Sequence, residues 1–180
     1  MKEIEVKAKI NNFPKIRKNL FHLGCRFSKP MIQEDQIFIS KNITFDQIAP
    51  GMNVLRIRKQ KNKILVTLKQ KTATVLAPHE VEFEVNDEKS VKDFFEKIGY
   101  QKIMDIVKKR IKCNFKNYEI CYDEVEKLGN FIEIEEMSDK DSEKVQNKLL
   151  DFLLSVGVNK NDRVNKSYDT LIFEKFKGRL

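Results

Sequence analysis

Carboxylates spaced two residues apart recur along this chain, as Glu3 with Glu5, Glu80 with Glu82, and Glu133 with Glu135; Asp123 precedes the last pair. Bases recur at the same spacing, as Arg56 with Arg58, Lys69 with Lys71, and Lys108 with Arg110, while Lys7 follows Glu5. In an extended strand that spacing puts both side chains of a pair on one face. Carboxylate oxygens are hard ligands of the kind Mg²⁺ or Mn²⁺ takes. Arg offers phosphate a bidentate fork and Lys a point charge. A triphosphate carried with divalent metal would use both populations at once. A simple anion binder would not, because carboxylates repel phosphate unless a cation lies between them.

No other chemistry competes. There is no Walker A loop, no GxGxxG and no HExxH. Gly51 and Gly129 read as turn glycines, and no Ser, His and Asp stand in a pattern that suggests a triad. The two histidines, His22 and His79, are too few for a His-based zinc site. Cys25, Cys113 and Cys121 lack CxxC spacing and read as reduced thiols of a cytoplasmic protein.

The elements that must position these residues follow from periodicity. Alternating charge and hydrophobicity marks residues 3–10, 55–58, 66–71 and 80–85, and more weakly 107–113, 118–125 and 131–135. With 36–40 that makes about eight strands. Helical spacing follows Pro14 up to Gly24, Asp87 up to Gly99, and Asp141 or Ser142 up to Gly157, each glycine a stop. A fourth helix is expected over Val164–Phe176. A repeat emerges: a strand with paired carboxylates, an amphipathic helix, then a glycine.

The 180 residues suffice for one domain with a core, and no Pro/Gly/Ser-rich linker divides them. No stretch approaches the roughly 18 apolar residues of a membrane span, so no membrane partner is expected. The opening MKEIEVKAKI has no apolar core of a secretory leader. Net charge is +8, which favours anionic partners. Nucleic acid is not the expected one, because the basic clusters Lys59–Lys63 and Lys108–Lys112 carry no interleaved stacking aromatics.

The charged face of one alternating strand ordinarily meets water. Here the polar faces of the whole set are almost entirely charged, with little Thr, Ser, Gln or Asn. The set therefore points to an α+β fold: an eight-stranded antiparallel closed barrel, charged inside, with its apolar outer faces under the helices. Acidic strands facing basic ones would compensate the buried charge.

At these residues the chain resembles the CYTH superfamily of triphosphate tunnel proteins, and within it the class IV adenylyl cyclases. The similarity lies in Glu3-x-Glu5-x-Lys7, Asp35-x-x-Phe38, Arg56-x-Arg58, Thr67-x-Lys69, Glu80-x-Glu82, Lys108-x-Arg110, the run Asp123–Glu135, and Ser167-Tyr168 with Leu171. It spans essentially residues 1–180, as a single domain. It departs at Gln70-Lys71, where Gly-Pro often follows the lysine, and at His79, where an arginine often stands.

The resemblance implies that Lys7, Arg56, Arg58, Lys69, Lys108 and Arg110 grip a triphosphate, with Lys71 as a further candidate. It implies metal ligands in Glu3, Glu5, Glu133 and Glu135, joined by Asp123, Glu80 and Glu82. Arg56, Arg58 and Lys108 are the catalytic candidates. For a cyclase, the ribose 3′-hydroxyl of ATP attacks the α-phosphorus and pyrophosphate leaves. The alternatives are hydrolysis of inorganic or thiamine triphosphate in the same tunnel, and a non-catalytic polyphosphate- or nucleotide-binding module. Either a monomer or a homodimer is compatible.

Overall fold

The computed structural model describes residues 2–72 and 79–177. In chain order the elements are β1 (Lys2–Lys9), α1 (Phe13–His22), β2 (Met31–Ser40), β3 (Asn53–Gln60), β4 (Lys63–Gln70) and β5 (His79–Val85). Then come α2 (Glu88–Lys97), β6 (Tyr100–Phe115), β7 (Tyr118–Val125), β8 (Gly129–Ser138), α3 (Ser142–Ser155), β9 (Arg163–Val164) and α4 (Tyr168–Phe176). The chain divides into two compact units. Unit 1 takes Met1–Met31 and Lys109–Asn165, and unit 2 takes Ile32–Lys108 and Lys166–Leu180.

The repeat read from the sequence is present. A carboxylate-bearing strand, a helix and a positive-φ glycine follow one another at β1–α1–Gly24, β5–α2–Gly99 and β8–α3–Gly157. At each stop φ lies between +86° and +103°, a conformation that costs glycine little and other residues much. The helix starts are capped by Asn12, Asp87 and Asp141, whose side chains accept backbone N–H bonds from Lys15, Lys89 and Lys144.

In unit 1, β1 pairs antiparallel with β8, and β8 with β7. Ile4, Val6 and Ala8 of β1, Ile120 of β7, and Ile132 and Ile134 of β8 form one apolar face. Ile16 and Leu20 of α1 and Val145, Leu149 and Leu153 of α3 close over it. Full burial of each such side chain contributes about 1.5–3 kcal/mol, which fixes the opposite, charged face by default. In unit 2, β2, β3, β4 and β5 pair antiparallel in succession. Phe38, Leu55, Ile57 and Val66 pack there with Phe95 of α2; the Phe38 and Phe95 rings meet edge-on at 5.1 Å.

Hydrogen bonding does not by itself close the expected barrel, and two element bounds change. The strand order is β5-β4-β3-β2-β6-β7-β8-β1-β9, and among the described residues no ladder joins β5 to β9. The large antiparallel sheet is therefore not closed by hydrogen bonds as a barrel. The terminal strand β9 has two residues and pairs only with Lys7 and Ala8, too little for a sealing ladder. The fourth helix begins at Tyr168, not Val164, because Arg163 and Val164 are drawn into pairing with β1. Strand β6 runs for 16 residues, starting directly after the Gly99 stop.

Candidate functional site

The two units carry different halves of the expected charge set. Unit 1 holds five of the predicted acids, Glu3, Glu5, Asp123, Glu133 and Glu135, with two of the predicted bases, Lys7 and Arg110. Unit 2 holds five of the bases, Arg56, Arg58, Lys69, Lys71 and Lys108, with two acids, Glu80 and Glu82.

Register builds the acidic half. Glu135 of β8 faces Glu5 of β1 on one side and Glu119 of β7 on the other. Like charges directly opposite across a ladder are destabilising. Glu3, Glu5 and Glu135 each place a carboxylate oxygen within 4.8 Å of the others. Lys112 pairs with Glu119 at 2.7 Å and Lys7 lies 3.5 Å from Glu5, but Glu135 makes no ion pair among the described residues. Burial first, then the charges of Glu3 and Glu119, push its carboxyl up to about 8. The next row is neutralised from within. Lys7 lies 3.2 Å from Glu133, and the Arg110 guanidinium bonds Asp123 from Nε at 2.6 Å and also reaches Glu133. Lys7, Asp123 and Glu133 are buried. Burial works against the Arg110 charge, yet Glu133 and Asp123 outweigh it and hold the group well above its usual value. Cys121 sits opposite Glu133, and burial raises its thiol, so it offers no thiolate.

The basic half is built by β2–β5. Arg58 donates from Nε and Nη2 to both oxygens of Asp35, each at 2.7 Å. Burial pushes the Asp35 carboxyl up, but the Arg58 fork and the charges of Arg58, Arg56 and Lys108 outweigh it and hold it below the usual range. Arg56 donates to the Thr67 hydroxyl at 3.0 Å and to Glu82 at 3.1 Å, and the Thr67 hydroxyl donates to Glu82 at 2.8 Å. Burial, then the like charge of Arg58, holds the Arg56 guanidinium below its usual value despite Asp35, Glu80 and Glu82. Lys69 pairs with Glu80 at 2.6 Å. Buried Lys108 lies 5.0 Å from the centroid of the Tyr168 ring, a cation–π contact at the start of α4.

Most predicted residues thus gather into two charged clusters, one within each unit. Lys71 does not: it lies past the end of β4, exposed, and its Nζ donates to the Ile48 carbonyl at 2.9 Å. Glu80 and Glu82 are engaged with Lys69 and Arg56 as counter-charges on an exposed strand. Asp123 and Glu133 are likewise spent on Arg110 and Lys7. Sequence reading missed Asp35, Thr67 and Glu119 as site members. Asp35 and Thr67 stood inside quoted motifs, and Glu119 alternates with Cys121 and Asp123.

The family model described as the CYTH domain matches residues 1–168, a span that takes in the strands of both charged clusters. The chain belongs to the CYTH domain family. One relative, a Methanocaldococcus jannaschii protein named "Putative adenylate cyclase", is 30% identical over 172 residues, covering 93% of this chain and 97% of its own. A solved Pyrococcus horikoshii structure is 27% identical with a TM-score of 0.82, covering 96% of this chain and 99% of that one. A Hippeastrum protein, named as an adenylyl cyclase of the same provisional kind and said to reveal a dominant triphosphatase activity, is 17% identical with a TM-score of 0.67. It covers 100% of this chain and 97% of its own, a likeness of fold alone.

Proposed function

We propose that this CYTH protein binds ATP together with Mg²⁺ or Mn²⁺ and converts it to cyclic AMP and pyrophosphate. The observation that carries the reading is the opposite electrostatic deficit of the two charged clusters, one within each unit. Glu135 is a carboxylate pushed up to about 8 by burial and by neighbouring glutamates. Arg56 is a guanidinium pressed down by burial and by Arg58. A cation relieves the first and a polyphosphate relieves the second.

The donor set of Glu3, Glu5 and Glu135 fits a hard divalent ion: three carboxylates, closely spaced, one of them without an ion pair among the described residues. Such an ion, when bound, supplies positive charge that favours deprotonation of an attacking hydroxyl and offsets charge on the polyphosphate. The protein residues do the rest. Arg56, Arg58, Lys69 and Lys108 bind and orient phosphate oxygens. Arg58 is held in place by Asp35 on two of its five N–H donors, so it arrives pre-oriented. Arg56, Arg58 and Lys108 neutralise the charge that develops on the departing pyrophosphate, a contribution that needs no reorganisation at the moment of reaction. Lys7 and Arg110 pair with Glu133, and Arg110 also with Asp123, which fixes these carboxylates beside the metal ligands.

The Methanocaldococcus relative's name and the run Asp123–Glu135 favour the ribose hydroxyl as the attacking group. A second reading, hydrolysis of inorganic or thiamine triphosphate, is favoured by Gln70-Lys71, which stands where cyclase-like sequences often have Gly-Pro. It is also favoured by the triphosphatase activity given for the Hippeastrum protein, which shares the fold. A product assay separates them. With ATP and Mg²⁺ or Mn²⁺, the expected products are cyclic AMP and pyrophosphate; orthophosphate from ATP or inorganic triphosphate selects the hydrolase. No turnover of either leaves a binding module.

A further inference from the structure

The polar face of unit 2 changes character along its strands. Cross-strand rows set Ile37 opposite Arg56, Asp35 opposite Arg58, and Gln33 opposite Gln60. Alternation places Gln33, Asp35 and Ile37 on one face of β2, and Arg56, Arg58 and Gln60 on the matching face of β3. The last row is uncharged on β2 and β3 and continues on β4 to Lys63, whose ammonium is paired with Glu84 at 2.6 Å. It lies about 7 Å along the strands from the Asp35–Arg58 pair, at two residues of strand rise.

Gln33 is 4% exposed, and its Nε2 donates to Gln60 Oε1 at 2.7 Å. Its own Oε1 is buried and has no hydrogen-bond partner among the described residues. Exchanging the O and N of both amides only moves the deficit to the nitrogen, so one polar end of Gln33 stays unpartnered in either assignment. A buried polar atom without a partner costs about 1–3 kcal/mol. An apolar pair would fill the same row without that cost, as Ile57 and Val66 do where they face each other on the other side of the sheet.

We infer that the Gln33–Gln60 amide pair is a specificity-determining station that hydrogen-bonds the uncharged part of a nucleoside triphosphate, a ribose hydroxyl or a base edge. This rests on the reading that Arg56 and Arg58 hold the polyphosphate. The chemistry follows from the row order. Arg58 meets phosphate, and the next row offers neutral amides with one end vacant for a donor or acceptor. An amide discriminates by hydrogen bonding rather than by charge, and inorganic triphosphate has nothing to present there. Sites that leave a polar group unpaired against the wrong ligand discriminate strongly.

The test measures dissociation constants of ATP and of inorganic triphosphate, each with Mg²⁺, for the wild type, Gln33→Met and Gln60→Met. Methionine keeps the chain length and removes both amide functions. The expected result is a fall of about tenfold in the affinity of ATP relative to inorganic triphosphate in each variant, the size of a lost hydrogen bond or two. Should Gln33→Met fail to fold, Gln60→Met, which is only half-buried, reads the same ratio. A wild type that binds both compounds, with the ratio unchanged within about twofold in the variants, overturns the amide station and leaves the phosphate clamp standing. A wild type that binds neither overturns the clamp, and this inference with it.

Discussion

Unit 1 and unit 2 solve the same problem, charge held on a sheet away from water, with opposite remainders. Unit 1 neutralises its inner row with Lys7, Arg110, Asp123 and Glu133, and leaves Glu135 flanked by Glu5 and Glu119. Unit 2 locks Arg58 with both oxygens of Asp35, and leaves Arg56 with a half-exposed Glu82 and a neutral hydroxyl. Each unit thus holds satisfied ion pairs that fix geometry and one group whose charged form is disfavoured, Glu135 in unit 1 and Arg56 in unit 2. A satisfied pair and a disfavoured charge respond differently to substitution, and that difference can be measured.

The largest effects should fall on the satisfied pairs, read as stability. Arg110→Ala strips a fully buried Asp123 of its guanidinium, and Arg58→Ala does the same to Asp35. Breaking a buried pair costs about 3–5 kcal/mol. Arg56→Ala should cost much less, because it also removes repulsion from Arg58. Urea unfolding of the three variants orders them; equal losses would erase the distinction between satisfied and disfavoured charges.

Next comes turnover. Glu3→Ala combined with Glu5→Ala should lower metal-dependent turnover by about 100-fold or more, on the scale of losing a main electrostatic contributor. The fold should survive, since both side chains lie outside the buried set. Retained turnover in the folded double variant would move the metal elsewhere.

A smaller effect is expected from pH. The Glu135 carboxyl is raised in the folded protein from 4.5 to about 8, so its protonated form is the favoured one. Its contribution to stability is fully present below about pH 4.5 and is lost as pH rises through about 8. Allowing for partial exposure, roughly 2 kcal/mol is at stake. Melting curves without metal should show the wild type losing stability against Glu135→Gln between pH 5 and about 8. Added Mg²⁺ or Mn²⁺ should restore it to the wild type only. A flat difference across that range would mean that Glu135 carries no strain.

The smallest contrast lies at the end of β4. Lys69→Ala should weaken inorganic triphosphate binding about tenfold, the value of one charge-assisted contact. Lys71→Ala should change it by less than about threefold, because its ammonium is held at the Ile48 carbonyl. Isothermal titration of both variants decides this, and equal losses would return Lys71 to the site.

Much of this was legible in the chain because it is local. Alternation named the faces of β1, β3, β4, β5, β7 and β8, and the glycines ended three helices where the structure ends them. What escaped is long-range. That Glu5 faces Glu135, and Glu135 faces Glu119, is a matter of register between distant strands. That Asp35 locks Arg58 depends on the β2–β3 ladder, although the aspartate's motif was already visible. Alternation reports faces and not edges, so it does not say whether hydrogen bonds close the sheet, and β9 is too short to show in a period-two pattern.

The division of labour between the units is tested most directly by titrating inorganic triphosphate, with and without Mn²⁺, into the wild type, Glu135→Gln and Arg56→Ala. If unit 1 holds the cation and unit 2 the phosphates, Arg56→Ala weakens binding in both conditions. Glu135→Gln then removes only the increment that Mn²⁺ adds. Two variants that lose affinity in the same pattern, with and without Mn²⁺, would contradict it.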